Sequence, residues 1–457
     1  MNDLILRDYQ ITDIDRLRAA YGAGAKAPLY QLATGGGKTV VFSHIVASAA
    51  AKGRKVGVFV HRRELIRQAS AKLDWCGVPH GIIAAGLDRD HDATVQVLSI
   101  QSAVNRELPQ FDFIVIDEAH HAVAETWFTL LKSQTKAKLL GVTATPSRTD
   151  GAGLGTQCGG LFDAIICGPT MQELVDAGHL ARSKVFIPPQ QIDTTGLRKV
   201  GGDWAAGDEM AKRAQIVTGD AIAHYRRHAA GKTAIAFCVT VEHAEQVAQA
   251  FRDAGLCAAC VHGGTPKDER DRLISALDVS SRFDTSDGID VLTSCDLISE
   301  GLDVPSVGAV ILLRPTGSLI LALQQIGRGM RPKADGAPLI VLDHAGNTLR
   351  HGLPEEDRVW TLDGVEKVKR APAEINVDGI NLGRKRVVEQ VAGDLIEAES
   401  AKQAQARWGK VSMTQFKQRP RTEAQARAFA KVKGYKKGWA FYFMREQRER
   451  FGYGAAA

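Results

Sequence analysis

Short apolar runs with little polar alternation constrain this chain more than any other feature. KVGVFV at 55–60, TVQVL at 94–98, FIVI at 113–116 and LLGV at 139–142 are separated by stretches of helical character. A strand with one wet face alternates, whereas near-continuous apolar runs mark strands buried on both faces of a parallel sheet. The rhythm restarts after about residue 215 with TAIAF at 233–237, AACV at 258–261, IDVL at 289–292, VGAVILL at 307–313 and PLIVL at 338–342. Two successive α/β units are therefore expected. The stretch between them carries Pro188, Pro189, Gly196, Gly201, Gly202 and Gly207, the marks of a linker or surface excursion. Beyond about Arg350 the strand rhythm fades into a charged, helix-prone tail in which Gly434, Gly438 and aromatic residues are interspersed.

Composition narrows the class. The chain has 457 residues, 44% apolar and 24% charged, which excludes disordered, collagen-like and coiled-coil proteins. No apolar run approaches the roughly 18 residues of a membrane span, and the first residues lack the basic and apolar regions of a secretory signal. Seven cysteines, an odd number with none after Cys295, fit reduced thiols in a cytoplasmic compartment. Cys257 and Cys260 have CxxC spacing with His262 nearby, but no second such pair exists, and the pair reads as small thiols in a buried strand. Charge is uneven. Residues 401–457 hold 14 Lys+Arg against 3 Asp+Glu, a net of +11 in a chain of net +6, so residues 1–400 carry −5. A basic end on an acidic body is suited to a polyanion.

Three segments carry chemistry. ATGGGKT at 33–39 precedes an apolar helix start at Val40, Val41 and Phe42. Such a loop turns backbone N–H groups onto phosphate oxygens at a helix N-terminus. Thr34, Gly35, Gly36 and Gly37 form the cradle, Lys38 reaches the β- and γ-phosphates, and the Thr39 hydroxyl ligates Mg²⁺. The longer GxxxxGK[ST] pattern is not met, because position 32 is Leu. FIVIDEAH at 113–120 ends an apolar strand in two carboxylates. Asp117 is placed to hold Mg²⁺, largely through water, and Glu118 to orient the attacking water. QQIGRGMR at 324–331 sets Arg328 and Arg331 three residues apart, on one helix face, as guanidinium groups for a γ-phosphate across a cleft. His120 and His121 offer a metal pair on paper, but adjacent side chains are expected to point apart.

In this order, GGGKT, DEAH and QxxGRxxR resemble the superfamily 2 DEAD/DEAH-box helicases of phage and prophage type. LRDYQ at 6–10 is similar to their adenine-reading segment, which implies Gln10 on the adenine edge with Arg7 nearby. VHRRELIRQ at 60–68 resembles motif Ia, with Arg62 and Arg63 on the nucleic-acid backbone, and SIQS at 99–102 motif Ib, with Gln101 and Ser102. TATP at 143–146 resembles motif III, so Thr143 and Thr145, with His120, would couple hydrolysis to strand contact. FCVT at 237–240 stands where motif IV does, and SCDLISEGLD at 294–303 is similar to motif V, with Gly301 and Asp303 near nucleotide and ribose. Gln324 belongs to the catalytic set by the same resemblance. DHAGN at 343–347 and GYKKGWA at 434–440 also match this type, although the C-terminal four-cysteine ribbon of some relatives cannot form here.

The resemblance implies two tandem RecA-like P-loop NTPase lobes with parallel sheets, 1–180 and 181–350, and a basic, mainly helical C-terminal extension at 351–457. It implies an ATP hydrolase that uses ATP and Mg²⁺ to move on or remodel nucleic acid. DNA is favoured over RNA, with a monomeric protein, no membrane, and replication, recombination or repair proteins as partners. A nucleotide-gated clamp that switches without travel is the alternative. Only 20 residues, 304–323, separate motif V from the QxxGRxxR segment, which resembles motif VI, too few for a large strand-separating hairpin there. A small-molecule kinase would leave motifs III, V and VI unexplained. In the tail, lysines interleave with Trp439, Phe441, Tyr442 and Phe443, which suits either base stacking or packing of the aromatics onto the second lobe.

Overall fold

The computed structural model describes residues 5–61, 63–122, 125–148, 151–188, 191–192, 194–200, 203–215, 218–277, 288–295 and 307–363, then 376–377, 380–381, 387–388, 395–399, 406–418, 423–436 and 438–451. The first apolar block folds into β1 Pro28–Gln31, β2 Val56–Val60, β3 Gly81–Ile83, β4 Val95–Ser99, β5 Phe113–Asp117, β6 Lys138–Thr143 and β7 Ala164–Cys167. They make one parallel sheet in the order β3-β4-β2-β5-β6-β1-β7. β1, β2 and β4 are buried along their whole length, as helix-covered parallel strands must be.

The second block gives β8 Ser183–Ile187, β9 Ala234–Phe237, β10 Ala258–Val261, β11 Val291–Ser294, β12 Ala309–Leu312 and β13 Leu339–Asp343. These are parallel in the order β10-β11-β9-β12-β13-β8. β10 is the outer edge, so Cys257 is exposed and Cys260 half-buried rather than both lying in the core. All seven cysteines are free thiols.

The tail is less purely helical than its composition implies. β14 Asn376–Val377, β15 Ile380–Asn381 and β16 Ile396–Glu399 extend the second sheet, with β16 antiparallel to β8. Helices Met413–Lys417, Glu423–Val432 and Trp439–Phe451 then build a separate apolar core from Trp408, Phe416, Phe429 and Phe443. Phe416 stacks on Phe429 at 4.0 Å and Trp439 on Phe443 at 5.0 Å. Those aromatics hold the tail together instead of covering the second lobe, while Tyr435 and Tyr442 stay 38% and 62% exposed. The Phe441 side chain lies outside the described residues. No helix among the described residues is long and apolar enough to cross a membrane.

One apolar cluster runs through both lobes and includes Leu32, Leu180, Ile326 and Met330. The chain also crosses back after the second sheet. Residues 352–363 return to the first lobe, where the Leu362 carbonyl accepts the N–H groups of Leu154 and Gly155, each at 3.0 Å. The Leu362 side chain is buried with Trp127, Leu154 and Phe162. Leu362→Ala should therefore cost about 2–5 kcal/mol in urea unfolding, the range for a truncated core leucine. A loss below about 1 kcal/mol would show that this strap is not anchored in the core.

Candidate active site at the seam of the two sheets

Strand register fixes the site. Gln31 of β1 pairs with Thr143 of β6, and Asp117 of β5 pairs with Val142 of β6. The C-terminal ends of β1, β6 and β5 therefore finish on one edge, where open α/β sheets bind ligands. The phosphate-loop sequence follows β1. Gly35 and Gly37 have φ of 84° and 90°, a left-handed backbone that favours glycine. Gly37 caps helix Lys38–Ala50, so the first N–H groups of that helix face the loop.

The LRDYQ segment braces this loop from behind. The Tyr9 hydroxyl donates to the Gly36 carbonyl at 2.5 Å, and Gln10 Nε2 donates to the same oxygen at 3.3 Å. Gln10 Oε1 accepts the Arg7 N–H at 3.0 Å. Gln10 is 2% exposed, its amide turned onto the loop. Arg7 and Tyr9 line an adjacent cavity of about 790 Å³ with Asp13, Arg16 and His179. Tyr9, whose ring lies 5.3 Å from that of His179, is a loop contact that sequence reading missed.

The acid pair lies across the same edge. Asp117 is buried, and burial first, then the Glu118 charge, push its carboxyl above the ordinary carboxylate range, while the Lys38 ammonium opposes the shift. Glu118 has φ of 47°, which swings the chain into the 3₁₀ turn Ala119–His121. His120 Nδ1 lies 2.9 Å from Thr143 Oγ1 and 3.5 Å from Glu118 Oε2. Thr143 Oγ1 in turn accepts the Thr145 N–H at 3.2 Å.

The tight turn also corrects the expectation that His120 and His121 diverge. Their rings lie 4.2 Å apart, and His121 stacks on His61 at 4.6 Å. Gln101 Nε2 donates to the His61 carbonyl at 2.9 Å, and Ser99 Oγ donates to Gln101 Oε1 at 2.6 Å. Ser102 Oγ accepts the Ala85 N–H at 3.1 Å. An unbroken line of contacts thus runs from Gln101 through His61, His121 and His120 to Thr143. His61 and His121 as links in it were not legible in the sequence, because stacking depends on the turn. Arg62, Gly301 and Asp303 and the Arg63 side chain lie outside the described residues.

The second lobe supplies helix Leu319–Gly327, capped by the Ser318 hydroxyl, which accepts the Leu321 N–H at 3.3 Å. Gly327 meets the phosphate loop directly: a Cβ there would lie 2.6 Å from Thr34 Cγ2. Arg328 is the half-buried C-cap, whereas Arg331 is exposed and past the helix end. The two arginines therefore do not share a helix face. Gly327, Gly329 and Pro332 end the helix before the second one. Thr34, Thr145 and Leu323 line a cavity of about 280 Å³ together with Trp360 of the returning strap.

Among the buried polar atoms that make no hydrogen bond in the described residues, Glu118 Oε2, Thr145 Oγ1 and both amide atoms of Gln324, which is 2% exposed, lie at this seam. Native interiors leave few such atoms, and an unmade bond costs about 1–3 kcal/mol. Unsatisfied acceptors and an amide donor, with Lys38 and the loop N–H groups, fit a polyphosphate, a water and a hydrated divalent cation.

Comparison with known proteins agrees with this geometry. The family described as "Type III restriction enzyme, res subunit" matches residues 3–148, and "Helicase conserved C-terminal domain" matches residues 217–333. A "51.5 kDa protein" of a Lactococcus phage is 35% identical over 335 residues, covering 73% of this chain and 68% of its own. The "Putative ATP-dependent helicase IRC3" of Saccharomyces cerevisiae is 30% identical over 352 residues, covering 72% of this chain but only 49% of its own length. Among solved structures, a fragment of a putative HsdR subunit of a type I restriction enzyme from Vibrio vulnificus superposes with a TM-score of 0.57 at 24% identity, covering 79% of this chain and 67% of that one. The DNA-bound Type ISP restriction-modification enzyme LlaBIII gives 0.53 at 19% identity, covering 74% and 28%; both show a shared fold. With two parallel-sheet lobes, a phosphate loop on one and an arginine-bearing helix of the other packed against it, the chain belongs to the superfamily 2 helicases of phage type and is an ATP-dependent nucleic-acid helicase or translocase.

Proposed function

We propose that ATP is split at the seam between the lobes and that the resulting opening and closing moves the protein along DNA. The observation that carries this reading is the contact of Gly327 with Thr34, because it sets the neighbour of Arg328 in one lobe against the phosphate loop of the other. Lys38 holds the β- and γ-phosphates, and Glu118, whose Oε2 accepts no hydrogen bond, orients the attacking water. Thr39 and Asp117 would hold a Mg²⁺ ion, which supplies charge neutralisation on the transferred phosphate. Arg328 and Arg331 stabilise the developing charge, and Gln324 gives its buried amide to the γ-phosphate or the water. Arg7 and Gln10 set the nucleoside end. Arg62, Arg63, Gln101 and Ser102 grip the strand from the first lobe, and Gly301 and Asp303 face nucleotide and ribose from the second. The His120–Thr143 contact couples the two sites.

Both halves of the ATP site come from one chain, which supports action as a monomer. Free thiols throughout support a cytoplasmic setting in a bacterium or an infected cell. The tail, with net charge +11, adds a phosphate-contacting surface on which Tyr442, with the Arg445 guanidinium 5.7 Å from its ring, is the exposed stacking residue. Translocation is favoured over strand separation by the 20-residue span of 304–323.

Lys38→Ala and Glu118→Gln should each abolish DNA-stimulated ATPase, and Glu118→Gln should still bind ATP. Arg328→Ala should lower kcat by about 10³-fold or more with little change in ATP affinity. Near-wild-type turnover in these variants would refute the assigned site. ATPase compared on single-stranded, duplex and branched DNA and on RNA should be highest on DNA, and the protein should displace a triplex-forming strand from a duplex. Strong stimulation by DNA without displacement would establish a clamp instead. Tyr442→Ala with Arg445→Glu should weaken DNA binding and lower the slope of log K against log salt by about 1; an unchanged slope would remove the tail from the nucleic-acid surface.

A further inference from the structure

Two sequence features have no part in the site described so far: the excursion that follows Pro188 and Pro189, and DHAGN at 343–347. The structure brings them together around one short loop, 314–318, which leads directly into helix Leu319–Gly327. Thr316 at its centre is fully buried, and its polar groups are held from three directions. Its N–H donates to Asn347 Oδ1 at 2.9 Å. Its carbonyl lies 3.3 Å from Arg350 Nη1, a donor, and 2.8 Å from His351 Nε2. Its hydroxyl donates to Asp203 Oδ2 at 2.9 Å and accepts the Ser318 N–H at 3.0 Å.

Asp203 does more than meet that hydroxyl. Its Oδ1 accepts the Gly317 N–H at 2.6 Å, and its Oδ2 lies 3.6 Å from Arg314 Nη2. Asn347 closes the other side, donating through Nδ2 to the Arg314 carbonyl at 2.9 Å. Both holders are themselves anchored. The buried Asp343 carboxylate accepts the N–H groups of Asn347 at 3.0 Å and Thr348 at 2.5 Å. Trp204, next to Asp203, packs with Met210, Ala214 and Val239, and the Arg350 guanidinium lies 4.5 Å from its ring. A carboxylate that holds two loop donors and faces a guanidinium in a largely dry setting is a strong, directional restraint.

The restraint sits at one end of a lever. A nine-residue helix is about 13 Å long, so a tilt of roughly 5° at its start moves its far end by about 1 Å. A displacement of about 1 Å at a reacting centre costs on the order of 10²-fold in rate. We infer that Asp203, Asn347 and Arg350 are positioning residues that fix loop 314–318 and thereby set where Arg328 arrives against the phosphate loop. This inference rests on the arginine reading above. It assigns a role to residues from the inter-lobe excursion and from the segment beyond the second lobe's last parallel strand, none of which belongs to the nucleotide site described above.

The test measures kcat and KM for ATP at saturating DNA, with equilibrium affinity for a fluorescent ATP analogue, in Asp203→Ala, Asp203→Asn, Thr316→Val and Arg328→Ala of the full chain. Asp203→Ala should lower kcat by about 10–100-fold with KM and analogue affinity within about twofold. Asp203→Asn, which keeps an acceptor for the Gly317 N–H, should restore most of that loss. Thr316→Val, which removes one hydroxyl from an intact fold, should lower kcat in the same sense and serves if Asp203→Ala does not fold. Arg328→Ala with lost turnover beside Asp203→Ala and Thr316→Val with wild-type kcat overturns the positioning role alone. A raised KM at unchanged kcat in those two variants overturns it as well. Full turnover in Arg328→Ala overturns the arginine reading and this inference with it.

Discussion

Gly327 has no side chain, and Thr34 fills the space where one would be. That close approach is the constraint on which the rest of the structure depends, because it sets the phosphate loop of one lobe against the helix end of the other. A methyl group at position 327 would push the two apart and take Arg328 with them. The approach also explains why polar atoms remain unpaired at the seam. Gln324, Glu118 and Thr145 leave bonds unmade that folding alone would have satisfied or avoided.

The sheets make this arrangement rigid. Parallel strands in register deliver β1, β6 and β5 to a single edge, so the phosphate loop, Thr143 and Asp117 are set by backbone hydrogen bonds rather than by flexible loops. The contacts from Gln101 through His61, His121 and His120 to Thr143 then join the segments that resemble motifs Ia, Ib and III with the DEAH segment. Each link is a close ring–ring contact or a hydrogen bond, and the ring pairs lie between residues on the short segments at 61 and 120–121.

How much of this was legible in the sequence follows from how local each cause is. The phosphate loop and the acid pair are contiguous, and their chemistry tolerates few residue types, so their place at strand ends could be read directly. The run of apolar strands fixed the two-sheet plan for the same reason. The shared face of Arg328 and Arg331 was misread because helical spacing was applied across Gly327 and Gly329, where the helix ends. Cys257 was misread because an edge strand has the same composition as a central one. The tail aromatics face one another, a pairing between separate short helices that no periodicity within one helix encodes. The cage around Thr316 was invisible for a related reason: Asp203 reaches it across 113 residues and Asn347 across 31.

The chain passes from the first lobe to the second at 180–181 and returns at 352–363, before β14 Asn376–Val377 rejoins the second sheet, and the first two crossings restrict how the lobes can move. In the first, Ala181 donates its N–H to the Met330 carbonyl at 2.7 Å and Leu339 donates to Arg182 at 2.8 Å, so the connector is already part of the second lobe where it leaves the first. Leu180 just before it fills the space over Gly35, where a Cβ would lie 2.8 Å from Leu180 Cδ2. In the second, the strap buries Leu362 in the first lobe and lines the cavity beside Thr34 with Trp360. Two anchored connections leave little freedom for the lobes to separate along the seam and favour rotation about it, the hinge form of domain closure. Both connections touch the surroundings of the phosphate loop, Leu180 over Gly35 and Trp360 beside Thr34, so the loop is enclosed by the same segments that join the lobes.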